Sequence, residues 1–413
     1  MFCLACSNMM LRGDGKANIS QQDCFQVDEE EIKKFKPTIA FLNPPYSKDN
    51  GHKELTFIEN ALSFLEPHGT CIAIVPQSCA MNTKKGNLVV KKRLLEKHTL
   101  KAVMSMPNTL FEDSNTNAVT CVLIFEAHKQ HTENTKTWFG YWKEDGFIKV
   151  RPYGRIDYRH LYQEKIKKYW LDNYFGKKEV DGFSILRYVD DSDEWLVEPY
   201  IKTNFGNLKD EDFESTLREY STFLYYNKLI GKVSRESCNE EREEIDFSKW
   251  KEVKLGFDKT NNPNGLFEVT GSKTTDIKIL DDNHKTGELK YPYVTTQATN
   301  NGVRGWYNTF TDEGNILIID SAVLGYCSYQ PLNFTASDHT EKLIPKFDLN
   351  VYRAMFLTTI INKEQYRYSY GRKFNQDRIR ETIIKLPFKN GKIDWDFIEN
   401  YIKGLIYSKY VEI

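Results

Sequence analysis

The chain has 413 residues, enough for two or three domains that each bury a hydrophobic core. Its formal net charge of −1 gives no whole-chain sign of a nucleic-acid partner, although local basic patches matter more than totals. Since no apolar run is long enough to cross a bilayer and the N-terminus does not look like a signal peptide, we expect a soluble, cytoplasmic protein without a membrane partner.

Eight cysteines in so long a chain, most of them far apart or in apolar runs, are typical of reduced intracellular thiols. Cys3 and Cys6, in "CLAC", have the spacing of zinc ligands, but no second pair lies near them in the sequence. We therefore predict no metal site.

From the N-terminus to about residue 128, short apolar runs alternate with amphipathic stretches. In "ELTFIENALSFLEPHG" the residues Leu55, Ile58, Leu62 and Leu65 recur on one helical face, and "GNLVVKKRLLEKH" predicts a second, basic helix. Alternating strands and helices predict a parallel, doubly wound sheet. The predicted strands are "NISQQD", "TIAFLN", "CIAIVPQS", "LKAVMSMP" and "AVTCVLIFEA".

Residues 129–248 are charged, aromatic and interrupted, and we interpret them as a helical or mixed connecting region that leads into the acidic linker "ESCNEEREEIDFSKW". Residues 249–413 are β-rich, with strands such as "YPYVTT", "NILIIDSAVLGY" and "EKLIPK". The predicted fold class is α/β for residues 1–128, followed by a β-rich α+β domain with a closing helix. The apolar stripe of that helix is Trp395, Ile398, Ile402 and Leu405.

The stretch "FLNPPYSKDNG" ends an apolar run with an amide, two prolines and a tyrosine. Proline cannot donate to a β-ladder, so the strand must stop at Asn43. Ligands of α/β sheets bind at the carboxyl ends of strands, where this corner and the later "VPQS" both lie. A structural turn is the alternative to a chemical role for the corner.

The corner carries two hydrogen-bond acceptors, the side-chain oxygen of Asn43 and the carbonyl of Pro44. Two acceptors that engage both hydrogens of an exocyclic amino group pull its nitrogen toward tetrahedral geometry and free its lone pair for attack. Tyr46 offers a face on which a base swung out of a duplex can stack.

Asn-Pro-Pro-Tyr at a strand end resembles the catalytic motif of S-adenosylmethionine-dependent DNA adenine-N6 methyltransferases. The flanking "ACSNMMLRGDGKANISQQDCF", "GTCIAIVPQS" and "MPNTLFEDSNTNAVTCVLIFEA" resemble the methylase module of type I and type IIB/IIG restriction-modification systems. Methyltransferases that act on protein glutamine or ribosomal RNA share the short motif. The resemblance is therefore carried by the flanking blocks as much as by the motif itself.

The resemblance implies roles for individual residues. Asp23 matches the position that accepts the amino group of the cofactor adenine, with Phe25 as its packing neighbour, and Phe111 matches a second aromatic beside the flipped base. A helix cap for Asp23 and a core position for Phe111 are the alternatives. The catalytic or base-holding residues that it implies are Asn43, Pro44, Pro45 and Tyr46.

Residues 249–413 resemble one target recognition domain of a restriction specificity subunit, on blocks such as "YPYVTTQATNNGVRGWYN" and "SYGRKFNQDRIRETIIKLP". Cationic side chains hold phosphates, and amides and guanidinium groups read base edges. Tyr366, Tyr368 and Tyr370 alternate as if on one strand face. A solvated surface is the alternative for each charge. The predicted DNA-binding residues are Arg304, Arg367, Tyr370, Arg372, Lys373 and Arg378.

The basic helix after residue 83 is a second candidate for contact with the DNA backbone, and a solvated helix face is the commoner explanation of such a pattern. Its basic residues are Lys84, Lys85, Lys91, Lys92 and Arg93.

One expected feature of the family does not match. The glycine-rich cofactor loop and the acidic residue that ends the next strand should lie upstream of "ACSNMMLRGDG", and the turn at Gly13 to Gly15 precedes a predicted strand, so it cannot replace that loop. We expect a chain truncated at its N-terminus, with a partial Rossmann-like methyltransferase sheet whose first strands are missing and whose apolar edge is exposed. We also expect weak or no binding of S-adenosylmethionine by the chain alone.

The leading interpretation is an adenine-N6 methyltransferase module of a restriction-modification system fused to its own target recognition domain. The alternatives are a non-catalytic DNA-binding specificity protein that works with a partner methylase, and a protein or RNA methyltransferase. Expected partners are double-stranded DNA and either a restriction or specificity subunit or the missing methylase portion. No nuclease motif is placed convincingly on a strand, so we predict no DNA cleavage by this chain.

Overall fold

The computed structural model describes residues 2–13, 18–46, 53–81, 85–111, 118–230, 244–273, 280, 288–322 and 325–413. The chain forms two compact units, Met1–Tyr200 and Ile201–Ile413. Residues 129–248, predicted as a separate connecting region, are thus divided between the two units. Within the described ranges, no helix has both the length and the apolar character needed to span a bilayer.

The first unit contains six short or medium helices and eight strands in its described residues. In chain order they are α1 (Phe2–Leu11), α2 (Glu29–Lys33), β1 (Ile39–Leu42), α3 (Glu54–Phe64), β2 (Thr70–Pro76), α4 (Gln77–Ala80), α5 (Lys85–Lys97), β3 (Thr99–Ser105), β4 (Thr120–Glu126), β5 (Lys136–Tyr141), β6 (Ile148–Val150), β7 (Gly154–Ile156), α6 (Lys167–Phe175) and β8 (Ser184–Tyr188). Strands β6 and β7 form a separate hairpin.

Six strands form one sheet in the order β1-β2-β4-β3-β5-β8. Strands β1 and β2 are parallel, as are β3 and β5, whereas β4 is antiparallel to both of its neighbours and β8 is antiparallel to β5. The α/β class is therefore confirmed, but the prediction of a purely parallel sheet was wrong. Strands β1, β2, β3 and β5 all point the same way, so their carboxyl ends lie at one edge of the sheet.

The helix predicted from the Leu55 periodicity is α3, and the four residues of its predicted face are all buried, with exposures between 0 and 4 %. Helix α3 packs against α5, β1 and β2. The predicted strand "NISQQD" was wrong, because residues 18–23 form no strand and lie largely exposed. Their alternating pattern contains one apolar residue, Ile19, which is too little to bury against a sheet.

Strand β1 lies at the edge of the sheet in the described part of the chain, paired with β2 alone. The side chains of Ile39 and Phe41 point to one face, and Phe41 is 78 % exposed. An exposed apolar edge is what the sequence predicts for this strand. Apolar side chains on an unpaired edge strand are a surface that another chain can cover.

The second unit is β-rich, with four α-helices among its described residues. In chain order its elements are α7 (Asp210–Tyr226), β9 (Trp250–Lys254), β10 (Phe267–Gly271), β11 (Tyr291–Val294), β12 (Val303–Tyr307), β13 (Ile316–Asp320), β14 (Cys327–Gln330), β15 (Thr335–Ala336), β16 (Thr340–Pro345), α8 (Val351–Asn362), α9 (Gln376–Glu381), β17 (Ile383–Lys389), β18 (Lys392–Ile393) and α10 (Trp395–Lys403). They form sheets in the orders β10-β16-β13-β14, β12-β11-β15 and β18-β17-β9.

Helix α8 lies at the centre of the second unit and packs against α7 and α10. Its residues 354–361 are all buried, and its N-terminus is capped because the Asn350 side chain accepts a hydrogen bond from the Arg353 amide. The predicted closing helix is α10, begun by the same kind of cap at Asp394. Its predicted stripe packs on the core, so that part of the fold prediction is confirmed.

Buried polar side chains tie together the strand ends of the first unit. Glu198, which has no exposed surface, accepts hydrogen bonds from Gln77 Nε2 at 3.1 Å and from Ser105 Oγ at 2.6 Å. The buried Lys143 Nζ lies 2.8 Å from Glu198 Oε1. Gln77 follows β2, Ser105 ends β3 and Lys143 follows β5, so one carboxylate joins three strand ends.

Replacement of Glu198 by alanine is expected to lower the free energy of unfolding by about 3–5 kcal/mol, because it leaves a buried ammonium group without a counter-ion. Urea unfolding of the variant and of wild type measures the difference. Glu144→Ala, at an exposed carboxylate, is the matched control and should change stability by no more than about 0.5 kcal/mol. Equal midpoints for the Glu198 variant and wild type would contradict the assignment.

Candidate functional site

The corner Asn43–Tyr46 begins directly after β1, where the sequence places it. Leu42, the last residue of β1, pairs with Ala73 of β2. Pro44 and Pro45 have no amide hydrogen, so the ladder stops there. Pro44 is buried and Asn43 is exposed. Packing of Pro44 therefore fixes the backbone of the corner, while the Asn43 amide faces solvent.

Tyr46 holds the side chain of Asn43 in place. Its hydroxyl donates a hydrogen bond to Asn43 Oδ1 at 3.1 Å. A carbonyl oxygen has two lone pairs, so this bond leaves Oδ1 able to accept a second hydrogen. The amide is therefore oriented by the neighbouring phenol and still available to a ligand.

Phe111 lies beside Tyr46, with the ring centroids 5.9 Å apart and the ring planes at 80°. This edge-to-face contact is a preferred arrangement of aromatic pairs. Phe111 follows β3, and both rings are partly exposed. The structure thus brings together the two aromatic residues that the sequence analysis assigned to base stacking, one from each of two strand ends.

Burial raises the pKa of Tyr46 to about 12, with smaller contributions from Cys121, Cys79 and the Glu54 carboxylate. Because the pKa lies far above neutrality, the phenol stays protonated at physiological pH and remains a donor to Asn43. The Cys79 thiol in turn donates to Glu54 Oε2 at 3.4 Å. Sequence reasoning did not single out Glu54 and Cys79, since nothing in their local pattern separates them from ordinary helix residues.

Asp23 and Phe25 lie in the loop before α2. The Asp23 side chain is exposed, and its Oδ1 accepts a hydrogen bond from the Phe25 amide at 3.0 Å. The ring of Phe25 packs against Phe57 of α3 at 4.8 Å between centroids, and the Asn60 side chain holds the loop through the Cys24 carbonyl at 2.9 Å. The loop therefore offers one carboxylate and one partly exposed ring, both fixed by α3.

In the second unit, a patch around the start of α9 contains three of the predicted DNA-binding residues. Tyr370 is 62 % exposed, and Lys373 Nζ lies 5.9 Å from the centre of its ring. Arg378 donates to the Lys373 carbonyl at 2.9 Å and is partly exposed. Arg304 is exposed on β12, away from this segment in the sequence. These four residues remain candidates for contact with DNA.

The prediction for Arg372 has to be corrected. The residue is only 5 % exposed, its guanidinium donates to the Arg367 carbonyl at 3.2 Å, and it lies 5.4 Å from the ring centre of Tyr368. Arg367 is also drawn inward, because its Nε donates to Glu364, a buried carboxylate, at 2.5 Å. Both guanidinium groups hold the loop together, and Arg372 is not presented to a phosphate.

The three alternating tyrosines do not share a strand face. Residues 365–367 form a short 3₁₀-helix, and no strand covers 366–370. The Tyr366 hydroxyl pairs with Thr203 Oγ1 at 2.9 Å, and Tyr368 is buried and stacked on Phe374 at 3.7 Å between centroids. Tyr370 alone among the three is exposed, so the prediction of an aromatic strand face was wrong.

The basic helix is confirmed as α5, but its charges do not form one exposed row. Lys91 is fully buried, donates to the Ala80 and Asp193 carbonyls, and has a pKa lowered to about 8, mainly by burial. Arg93 is paired with Glu59 at 2.6 Å, and Lys92 is exposed. Lys84 lies outside the described residues. The interpretation of this helix as a DNA-binding face is therefore corrected for Lys91, which is a core residue.

Comparisons with known proteins agree with the two-part organisation. Residues 1–195 match the family N-6 DNA Methylase, and residues 248–413 match the type I restriction modification DNA specificity domain. The first match lies within the first unit and the second match lies within the second unit.

Individual relatives are similar to parts of the chain. The type II restriction enzyme and methyltransferase RM.BcgI of Heyndrickxia coagulans is 31 % identical over 239 residues, which are 56 % of this chain and 37 % of that protein. The specificity subunit S.BcgI of the same organism is 28 % identical over 148 residues, 34 % of this chain and 41 % of that protein. The chain therefore spans less than half the length of either relative.

Among solved structures, the type I restriction-modification methyltransferase subunit from Streptococcus thermophilus is 22 % identical, and the match covers 45 % of this chain and 42 % of that chain. The TM-score of this match is 0.36.

A pair of arginine variants separates the buried from the exposed positions. Arg372→Ala is expected to lower the free energy of unfolding by about 2–3 kcal/mol, because packing is lost and a carbonyl loses its donor. Arg304→Ala, at an exposed position, should change it by no more than about 0.5 kcal/mol. Chemical unfolding followed by tryptophan fluorescence measures both, and equal effects would contradict the distinction.

Proposed function

We propose that this chain, which joins a segment of the N-6 DNA methylase family to a type I DNA specificity domain, is the methylating and target-recognising part of a restriction-modification enzyme. Its reaction is transfer of a methyl group to the N6 amino group of an adenine extruded from duplex DNA. The observation that carries the proposal is the fixed corner Asn43–Tyr46, with its exposed amide, beside a second aromatic ring.

The corner suits an adenine amino group in both geometry and charge. The N6 nitrogen is a poor nucleophile because its lone pair is delocalised into the ring. Asn43 Oδ1, oriented by the Tyr46 hydroxyl, would accept one amino hydrogen, and the Pro44 carbonyl would accept the other. These two acceptors favour the transition state, in which the nitrogen is closer to tetrahedral and carries developing positive charge.

Tyr46 and Phe111 would hold the extruded base. Stacking on aromatic side chains stabilises a base that has left the duplex. The raised pKa of Tyr46 keeps its hydroxyl protonated, so Asn43 stays oriented while the base is bound. The same two residues thus position both the substrate and the group that activates it.

S-adenosylmethionine is the proposed methyl donor, and when bound it would supply an electrophilic methyl carbon. Its sulfur would leave as a neutral thioether as the bond from N6 to the methyl carbon forms, and the N6 nitrogen would then release a proton to water. The described residues fit its adenine end. Asp23 has one carboxylate oxygen engaged by the Phe25 amide, which leaves the other to accept an amino hydrogen. The partly exposed ring of Phe25, braced by Phe57, offers a surface for the purine. This fit concerns the adenine end alone.

The second unit would supply target recognition. Exposed Arg304 and the patch of Tyr370, Lys373 and Arg378 provide cations for phosphates and forked donors for base edges in the major groove. Double-stranded DNA is the proposed partner. The exposed apolar edge of β1 suits contact with a further polypeptide, such as a subunit or another portion of a longer enzyme.

The decisive variant is Asn43→Ala. It removes one acceptor without altering the prolines, so methyl transfer should fall by about 10²–10³-fold, while the affinity for duplex DNA stays unchanged. Incorporation of labelled methyl groups into duplex DNA measures the first, and fluorescence anisotropy measures the second. Retained methyl transfer would contradict the mechanism. Unimpaired DNA binding with no transfer by the wild-type chain at saturating S-adenosylmethionine would favour a non-catalytic specificity protein.

Variants of Tyr46 distinguish two roles, stacking of its ring on the extruded base and orientation of the Asn43 amide by its hydroxyl. Tyr46→Phe keeps the ring and loses the hydrogen bond to Asn43, so it should lower turnover by roughly tenfold with little effect on substrate affinity. Tyr46→Ala loses both and should impair binding of the extruded base as well. Fluorescence of 2-aminopurine at the target position reports extrusion, and identical behaviour of the two variants would contradict the division of roles.

Binding of S-adenosylmethionine tests the proposed contacts of Asp23 and Phe25 with its adenine end. Because these residues cover one end of the ligand, we expect affinity weaker than micromolar, which saturation-transfer NMR detects and isothermal titration confirms. Asp23→Ala and Phe25→Ala should each reduce the transfer signal from the adenine protons, whereas Phe35→Ala, at another exposed ring, should not. Unchanged signals in both variants would contradict the assignment, and micromolar affinity of the wild-type chain would contradict the expected weakness.

A further inference from the structure

The hairpin β6–β7 of the first unit projects side chains that the proposed catalytic corner does not use. Tyr153, between its two strands, is 76 % exposed, and Tyr158, just after β7, is 70 % exposed. Arg151, two residues before Tyr153, and Arg159, directly after Tyr158, are exposed as well. Large aromatic side chains this open to water are more typical of a contact surface than of a core.

The hairpin is held by a rigid base. Asp145, which is buried, accepts two hydrogen bonds from Arg155 at 2.8 and 2.9 Å. Phe147 packs against Tyr162 at 5.5 Å between ring centroids, and Trp142 stacks on Trp170 at 5.0 Å with nearly parallel planes. These contacts fix the direction in which the hairpin leaves the sheet. The exposed tip is therefore preorganised.

The charge of this segment differs from that of the whole chain. Residues 143–178 contain ten lysines and arginines against five aspartates and glutamates, whereas the full chain has a net charge of −1. Besides the two tip arginines, Lys165, Lys167 and Lys168 are exposed at the start of the helix that follows. A local excess of positive charge on an otherwise balanced protein indicates a polyanionic partner.

We propose that this hairpin, defined here as the basic arm (residues 148–159), binds the phosphate backbone of duplex DNA outside the recognised bases. The inference rests on the proposed function and adds a contact surface on the methylase unit itself. Arg151 and Arg159 pair with phosphates, and the Tyr153 and Tyr158 hydroxyls donate to phosphate oxygens, which are contacts that fix position without reading sequence.

The basic arm favours DNA over an acidic protein because its exposed polar groups are donors that bind phosphate oxygens. Arginine binds phosphate through a planar fork of donors, and tyrosine is a neutral donor to the same oxygens. The exposed side chains at the tip are Tyr153 and Tyr158 together with Arg151 and Arg159.

The test compares the full chain with Arg151→Ala/Arg159→Ala in DNA binding at several salt concentrations. Each phosphate contact that is lost reduces the slope of log affinity against log salt by about 0.9, so the double variant should lower the slope by roughly 2. Lys389→Ala/Lys392→Ala, at the exposed tip of the β17–β18 hairpin, removes the same charge and should leave the slope unchanged.

A second variant separates neutral from charged contacts. Tyr153→Phe/Tyr158→Phe keeps the rings and charge, so it should weaken binding by roughly fivefold without changing the salt slope. Thermal midpoints equal to wild type show that each variant is folded.

Three results overturn the proposal. An unchanged slope and affinity in both arm variants, with wild-type DNA binding intact, overturns the basic arm alone and leaves an acidic protein as its partner. An equal loss in the Lys389/Lys392 control means that net charge, not the arm, sets the affinity. No DNA binding by the wild-type chain overturns the arm and the proposed function together.

Discussion

The missing amide hydrogens of Pro44 and Pro45 are the constraint on which the candidate site depends. They stop the β1 ladder at Leu42, so the following backbone cannot continue along the sheet. Burial of Pro44 then fixes the backbone of the corner. The exposed Asn43 amide accepts a hydrogen bond from the Tyr46 hydroxyl. Ring closure in the backbone makes this point rigid, and the Tyr46 hydroxyl orients the amide.

The direction of the strands brings further groups to the same edge of the sheet. Strands β1, β2, β3 and β5 all end there, followed by the corner, Gln77, Phe111 and Lys143 respectively. The edge has two environments as a result. One is open and aromatic around Tyr46, and the other is closed and charged around Glu198. Desolvation raises the pKa of Tyr46 at the first, while paired charges fill the second.

The features that were predicted correctly depend on residues that lie close together in the sequence. The α3 face and the corner at Asn43 follow from periodicity and proline chemistry within a few residues. The direction of β4 was not predictable in this way, because strand order depends on which partner the β4 residues find after the 14 residues that separate β3 from β4 in the sequence. Burial of Arg372 and Lys91 was equally hidden, since each is held by carbonyls brought close only by the folded chain. A cluster of charged residues in the sequence can therefore contain more charges than the folded protein exposes to solvent.

The Glu198 carboxylate also determines where the first unit can be truncated and still form a stable fragment. A polypeptide ended near residue 128 would lose β5 and β8 from the sheet and would leave Gln77 and Ser105 facing a cavity without their acceptor. Limited proteolysis and recombinant expression should accordingly yield a stable fragment when the last residue lies beyond 198. The last residues of the first unit are far from the corner in sequence, and through Glu198 they hold the strand ends together.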